Sequence, residues 1–180
     1  MNAESLEGEL QRVRAAAAGD AQGVFGPRSV TWQIDRESAI FFGAGRALLL
    51  QLAHPSVAAA IEQHSNAFAD PVGRFHRTFS TVFAMVFGTL DQSMSAARRL
   101  HRRHASNGPS ALDCWTVHGW LHLPRQCDSR FTLGYATLIE TALVAYELIL
   151  PAVTLQQREQ YYRESRLFAG LFGIPQDCLP

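Results

Sequence analysis

The stretch Gly43–Thr78, GAGRALLLQLAHPSVAAAIEQHSNAFADPVGRFHRT, decides the fold. It opens on small residues, runs through an apolar segment to His54-Pro55, and continues through a second apolar segment carrying His64. It then restarts at Asp70-Pro71, followed by Arg74, Arg77 and Thr78. Proline breaks a helix interior but fits the first helical turn, and an aspartate just before it caps that turn. The block therefore predicts three consecutive helices. The first starts at Asp35, with Ser38 the alternative cap, and ends at the His54-Pro55 step. The second covers Ser56–Phe68, and the third runs from the Asp70 cap to about Phe87. Ile40, Phe41, Leu48, Leu49, Leu50 and Leu52 make the first apolar on most sides, as expected of a central buried helix. Gly43, Ala44 and Gly45 would let another backbone, or a flat ligand, come close.

Upstream, Leu6–Ala18 predicts a short helix of mixed polarity, loosely packed at the surface within an N-terminal tail over 1–22. Gly23, Gly26 and Pro27 break it, and Ser29–Ile34 reads as an extended or turn segment anchored by Trp32. Downstream, Gly88 ends the third helix. Thr89 or Asp91 caps another that runs to about Ala105 with a basic end at Arg98–His104. Helical periodicity returns at Tyr135–Leu150, Pro151 breaks it, and Thr154 with Gln157 forms a capping-box start for Leu155–Leu171. Between these helices, residues 106–134 hold neither helical nor strand periodicity, an unusual length for a loop inside a compact domain. The pattern is that of a single all-α domain.

The chain has 180 residues, 47% hydrophobic and 18% charged, a globular composition. Its net charge is zero, and the basic run at 98–103 lacks interleaved aromatics, so nothing points to nucleic acid. All 16 basic residues are arginine, which removes lysine as a Schiff base or ligand. Cys114, Cys127 and Cys178 show no metal-type spacing, and an odd count argues against a disulfide framework. The N-terminus lacks the apolar core of a secretory signal, and no uncharged apolar run is long enough to span a bilayer. A cytoplasmic protein without a transmembrane segment is the expectation.

His101 and His104 stand at i, i+3 and share a helix face, which suits a metal or haem ligand pair and equally a solvated basic helix end. His54, before a proline, reads as a cap on the last carbonyls of its helix, and His64 as a core or rim histidine. Arg74, Arg77 and Thr78 fall at i, i+3, i+4. Two guanidiniums and a hydroxyl at a helix start make an anion site for a carboxylate or propionate; the alternative is ion pairing with Glu62 or Asp70. Nucleophile-elbow, Walker, zinc-protease and dinucleotide-binding motifs are absent, as are the paired Glu-x-x-His motifs of di-iron bundles.

GVFGPRSVTWQIDRESAIFFGAGRALLLQLAHPSVAAAIEQHS, DPVGRFHRT, ATLIETALVAYELILP and YYRESRLFAGLFGIP together resemble the latex-clearing-protein and MpaB-like oxygenases. The resemblance covers about residues 23–105 and 135–180. It implies a globin-like, haem b-binding helical fold and O₂-dependent oxidation of a small apolar substrate. The family's Arg-x-x-Lys-Thr pattern falls on Arg74, Arg77 and Thr78 as catalytic candidates, with arginine in place of the lysine. The proximal iron ligand falls best on His104, with His101 the alternative. Arg74 would pair a propionate or orient oxygen and Arg77 do the other, while His54 and His64 match family positions and join the cofactor-binding candidates. Phe41, Phe42, Phe79, Phe83 and Phe87 would line the haem and substrate pocket.

The resemblance lapses over residues 106–134, which are expected to be divergent or read in a shifted frame between intact flanks. Family members continue beyond Gly-Ile-Pro, so the chain is expected to lack C-terminal helices. Two functions are compatible with this reading: a haem b-dependent oxygenase, or a degenerate, truncated member without activity, serving as a helical remnant or interaction module.

Overall fold

A computed structural model describes residues 3–19, 21–64, 69–106 and 129–179, and among them the chain is all-α, with eight α-helices and no strand. The first helix, α1 (Ala3–Ala16), carries Leu6, Leu10 and Val13 on one stripe, and all three are buried. The expectation of a loosely packed surface helix is thereby corrected. Of the polar residues between them, Gln11 and Arg12 are exposed and Glu9 is buried, and the apolar stripe docks on the last α-helix, where a side chain at Gly170 would strike Val13. Arg98 binds Glu7 at 2.7 and 2.8 Å, and Arg14 binds Asp91 at 2.9 Å, tying α1 to the helix that precedes residue 107.

Residues 29–34 are not extended. Ser29 caps α2 (Val30–Asp35), its hydroxyl accepting the Trp32 N–H at 3.1 Å, and Asp35 ends this helix instead of starting another. Neither Asp35 nor Ser38 acts as the cap of a long helix: the chain forms a 3₁₀ helix, Ser38–Gly43, before α3 (Ala44–Leu52). One apolar run thus breaks into two short elements with different outward faces, and the central buried helix expected there is corrected as well. Phe42 and Leu49 are 79% and 70% exposed, while Ile40 and Ala47 point inward. Gly43 supplies the close approach its type allows, because a Cβ there would collide with the Thr141 methyl of α7. The Ala145 methyl and the Thr141 carbonyl stand just behind that methyl.

Beyond α4 (Pro55–His64), Asp70 caps α5 (Pro71–Phe87), accepting the Gly73 N–H at 2.8 Å with Pro71 in the first turn. The chain turns back through Gly88 into α6 (Leu90–Ser106), whose start is held by reciprocal bonds between Thr89 and Gln92. Within this hairpin the wholly buried Ser93 hydroxyl donates to carbonyls of Ala84 and Met85 at 3.2 and 3.0 Å.

Helical structure resumes at Ser129, six residues before the periodicity signalled it, as α7 (Ser129–Ile149). The rest of the aperiodic stretch, 107–128, lies outside the described residues. The 3₁₀ helix, α2, α3 and α8 (Leu155–Leu171) all pack on α7. Arg46 Nη1 donates to Thr141 at 2.7 Å and Gln51 to Thr137 at 2.9 Å, fixing the register of α3 on α7. Phe131–Ile149 is long and apolar enough to cross a membrane by length and composition, but it carries Glu140 and Glu147 and the other elements named here pack on it, as on the core helix of a soluble fold. The capping box at Thr154 and Gln157 forms as its sequence predicts. Cys178 is disulfide-bonded, against the expectation of no disulfide, and its partner lies outside the described residues.

Candidate functional site

Three elements converge where α5 begins and α6 ends. Because α5 and α6 pair as a hairpin closed at Gly88, the N-terminal turn of α5 and the C-terminal turn of α6 share the open end. Arg74, Arg77 and Thr78 lie at the start of one helix, and His101 and His104 near the end of the other. Two groups of candidates far apart in sequence are thus brought to one end of one hairpin. The His101 ring stacks on Phe131 with centroids 5.7 Å apart and planes 16° apart, so this end also meets the start of α7. His101 is half-buried, which departs from a fully solvated basic helix end. The side chains of His104 and His64 lie outside the described residues.

The two guanidiniums differ. Arg77 is exposed and reaches back to Asp70 at 3.2 Å, the ion pair that its sequence spacing allowed. Asp70 is held below its ordinary pKa, first by the Gly73 N–H and then by Arg77. Arg74 is half-buried, and its pKa is lowered, chiefly by burial and then by repulsion from Arg77. Two adjacent cations, one partly desolvated, favour an anion between or beside them.

One face of α5 is aromatic. Phe75, Phe79, Phe83 and Phe87 repeat every fourth residue, with successive centroids 4.4, 5.7 and 5.3 Å apart. Phe41 of the 3₁₀ helix touches Phe75, Phe79 and Phe83, and Trp32 of α2 stands edge-on to Phe87 at 4.7 Å. Phe42, expected to line the same pocket, is instead turned to solvent.

His54 sits between α3 and α4, where its carbonyl accepts the N–H groups of Val57 and Ala58 at 3.0 and 2.9 Å. Its backbone therefore starts α4, but its ring does not cap α3: Nδ1 is buried and has no hydrogen-bond partner among the described residues. No group of three or more His, Cys, Asp and Glu able to hold a metal ion occurs among the described residues.

Behind the aromatic ladder lies a cavity of about 50 Å³ between α3, α5 and α7, floored by α8. Ala47, Thr78, Phe79, Val82 and Leu138 form its walls, Tyr161 and Phe168 its floor, and Asp35 the one ionisable carboxyl among the described lining residues. Of the candidates read from the sequence, Thr78 and Phe79 reach it. Asp35 was missed because it reads as an N-cap; its place in a short stretch with Trp32 and Ile34 both apolar was the available signal. It is 8% exposed, and burial, then the neighbouring Glu164, push its pKa from 3.8 up to about 7. The Tyr161 phenol is raised well above its ordinary value, first by burial and next by Asp35, and donates to the Ile139 carbonyl at 3.2 Å.

The family model described as "ER-bound oxygenase mpaB/B'/Rubber oxygenase, catalytic domain" matches residues 31–180. The chain belongs to this family. The match begins inside α2 and takes in the hairpin, the cavity and α7–α8, leaving α1 outside it. No curated protein and no solved structure matches the chain.

Proposed function

We propose that this member of the mpaB/rubber oxygenase family is a haem b-dependent oxygenase that acts with O₂ on an apolar substrate. The observation that carries the reading is the shared end of the α5–α6 hairpin, where the α6 positions of His101 and His104 lie at the same end as two guanidiniums and a hydroxyl on α5. The chemistry of this donor set fits the cofactor. Imidazole is an axial ligand of haem iron, guanidinium pairs with carboxylates such as the propionates, and a phenyl wall suits a flat apolar ring. The buried, unpartnered Nδ1 of His54 adds a polar atom that a bound group could satisfy.

Haem b, when bound, supplies the iron at which O₂ is activated. His104 would hold the iron, with His101 the alternative, and His54 and His64 would be secondary cofactor contacts. Arg74, the more buried cation, would pair a propionate, while Arg77 would keep the local field positive and holds the start of α5 through Asp70. Arg77 stands where the family pattern has lysine; arginine stays protonated, so it acts as a cation and hydrogen-bond donor and not as a ligand. Thr78 offers a hydroxyl at the cavity wall, and the phenyl ladder keeps water from the substrate.

The small size of the cavity favours a second reading, a family member that has lost its cofactor. Reconstituting the full chain with haem and recording the visible spectrum separates the two. A Soret band at one haem per chain is expected of the oxygenase, and none of the remnant.

A further inference from the structure

The cavity floored by α8 contains a group that the proposed haem chemistry does not use. Asp35 lines it from the end of α2, is more than nine-tenths buried, and no hydrogen-bond donor among the described residues reaches its carboxyl. Of the elements packed on α2, the 3₁₀ helix contributes Ile40 and Gly43 to the lining, and α5 and α7 contribute apolar residues and threonines. The titratable groups near Asp35 are therefore those of α8, Tyr161 and Glu164. Glu164 is occupied at the start of α2, where it accepts the Val30 and Thr31 N–H groups at 3.3 and 2.7 Å. No cation lines the cavity among the described residues.

A carboxyl enclosed by apolar walls without a cation is stable as the neutral acid, and a neutral acid is a hydrogen-bond donor. Size narrows the ligand further. An apolar cavity of about 150 Å³ holds a benzene ring, so one near 50 Å³ admits about two or three heavy atoms. That is the end of a molecule and not the whole of it. We infer that the Asp35 cavity is a specificity subsite that takes the oxygen-bearing end, ketone, aldehyde or alcohol, of an otherwise aliphatic molecule, with the Asp35 acid donating a hydrogen bond to that oxygen. The apolar remainder would lie along Thr78 and Phe79 toward the phenyl ladder. The inference rests on the oxygenase reading for the role of such a molecule as substrate or product, but the binding itself requires no haem.

The test is an NMR titration of the full chain, without added haem, by 2-hexanone, hexane and hexylamine at pH 6 and pH 9. The ketone is expected to bind roughly three- to tenfold more tightly than hexane at pH 6, the worth of one hydrogen bond, and to lose that preference at pH 9 as Asp35 ionises. Asp35→Leu should erase the preference at both values. Asp35→Asn, which keeps a donor of the same shape and covers the case in which the leucine variant does not fold, should keep the preference and remove its pH dependence. Equal binding of ketone and hexane at pH 6, tighter binding of hexylamine than of ketone at pH 6, or a preference that survives in Asp35→Leu would each overturn the inference. Because the readout is binding without haem, failure here leaves the Soret test untouched. Failure of the Soret test likewise leaves this one standing.

Discussion

Glu164 on α8 accepts the backbone N–H of Thr31 at 2.7 Å, and this bond holds a second carboxylate within electrostatic reach of the buried Asp35. Thr31 and Asp35 are both buried on a helix of six residues, so α2 is pinned at its start by one acid while its end carries another.

The consequence for stability has a definite sign. Burial raises Asp35 from 3.8 to about 7 in the folded chain, so between those values the unfolded chain has released a proton that the folded chain retains. Stability contributed by the retained proton is complete below the unfolded value and lost as pH rises through about 7. The unfolding free energy read from denaturant titrations should fall from pH 4 to pH 8 by an amount on the order of a few kcal/mol. In Asp35→Asn this part of the slope should vanish; an unchanged slope would assign it to other groups.

Gly43 sets how closely the 3₁₀ helix lies on α7. A methyl there meets the Thr141 side chain, whose hydroxyl accepts from Arg46 at 2.7 Å, so Gly43→Ala should displace that contact as well. Overpacking of this kind costs about 1–3 kcal/mol, and thermal unfolding should shift down by roughly 2–4 °C per kcal/mol. Thr141→Ser, which removes the obstructing methyl and keeps the hydroxyl, should recover most of the loss in the double variant.

Ser93 is fully buried and bonds the turn that closes the α5–α6 hairpin. Ser93→Ala is expected to lower stability by about 1 kcal/mol without changing the visible spectrum of the haem-reconstituted chain. A spectral change would mean that the hairpin's closed end controls its open end.

How much of the fold and the site was legible in the residues depends on how local each signal is. The α5 and α8 starts were readable because Asp70-Pro71 and Thr154 with Gln157 are capping chemistry written in adjacent residues. The break between α2 and α3 was not, because six-residue elements are too short for periodicity to separate from one apolar run. Leu6, Leu10 and Val13 formed a correct stripe, but the charged residues between them masked how deeply it is buried. Arg74, Arg77 and Thr78 announced themselves by helical spacing. Asp35 did not, since only the packing of α2 against α5, α7 and α8 carries it to the cavity that Thr78 lines.

The two arginines make a separable prediction. Arg74 is the more buried, and Arg77 is exposed and bound to Asp70. Arg74→Ala should raise the haem dissociation constant about three- to tenfold, a charge-assisted bond partly screened by solvent, and Arg77→Ala by less. Competition for haem with an apo-globin measures both. A larger loss in Arg77→Ala would reverse their assignment.

The central claim is that the open end of the α5–α6 hairpin holds haem through α6. The most direct measurement is the Soret absorbance of the haem-reconstituted chain beside its His104→Ala and His101→Ala variants. A band at one haem per chain that is lost in His104→Ala and kept in His101→Ala is the predicted result. A chain that gives no Soret band, or a band that survives both substitutions, contradicts it.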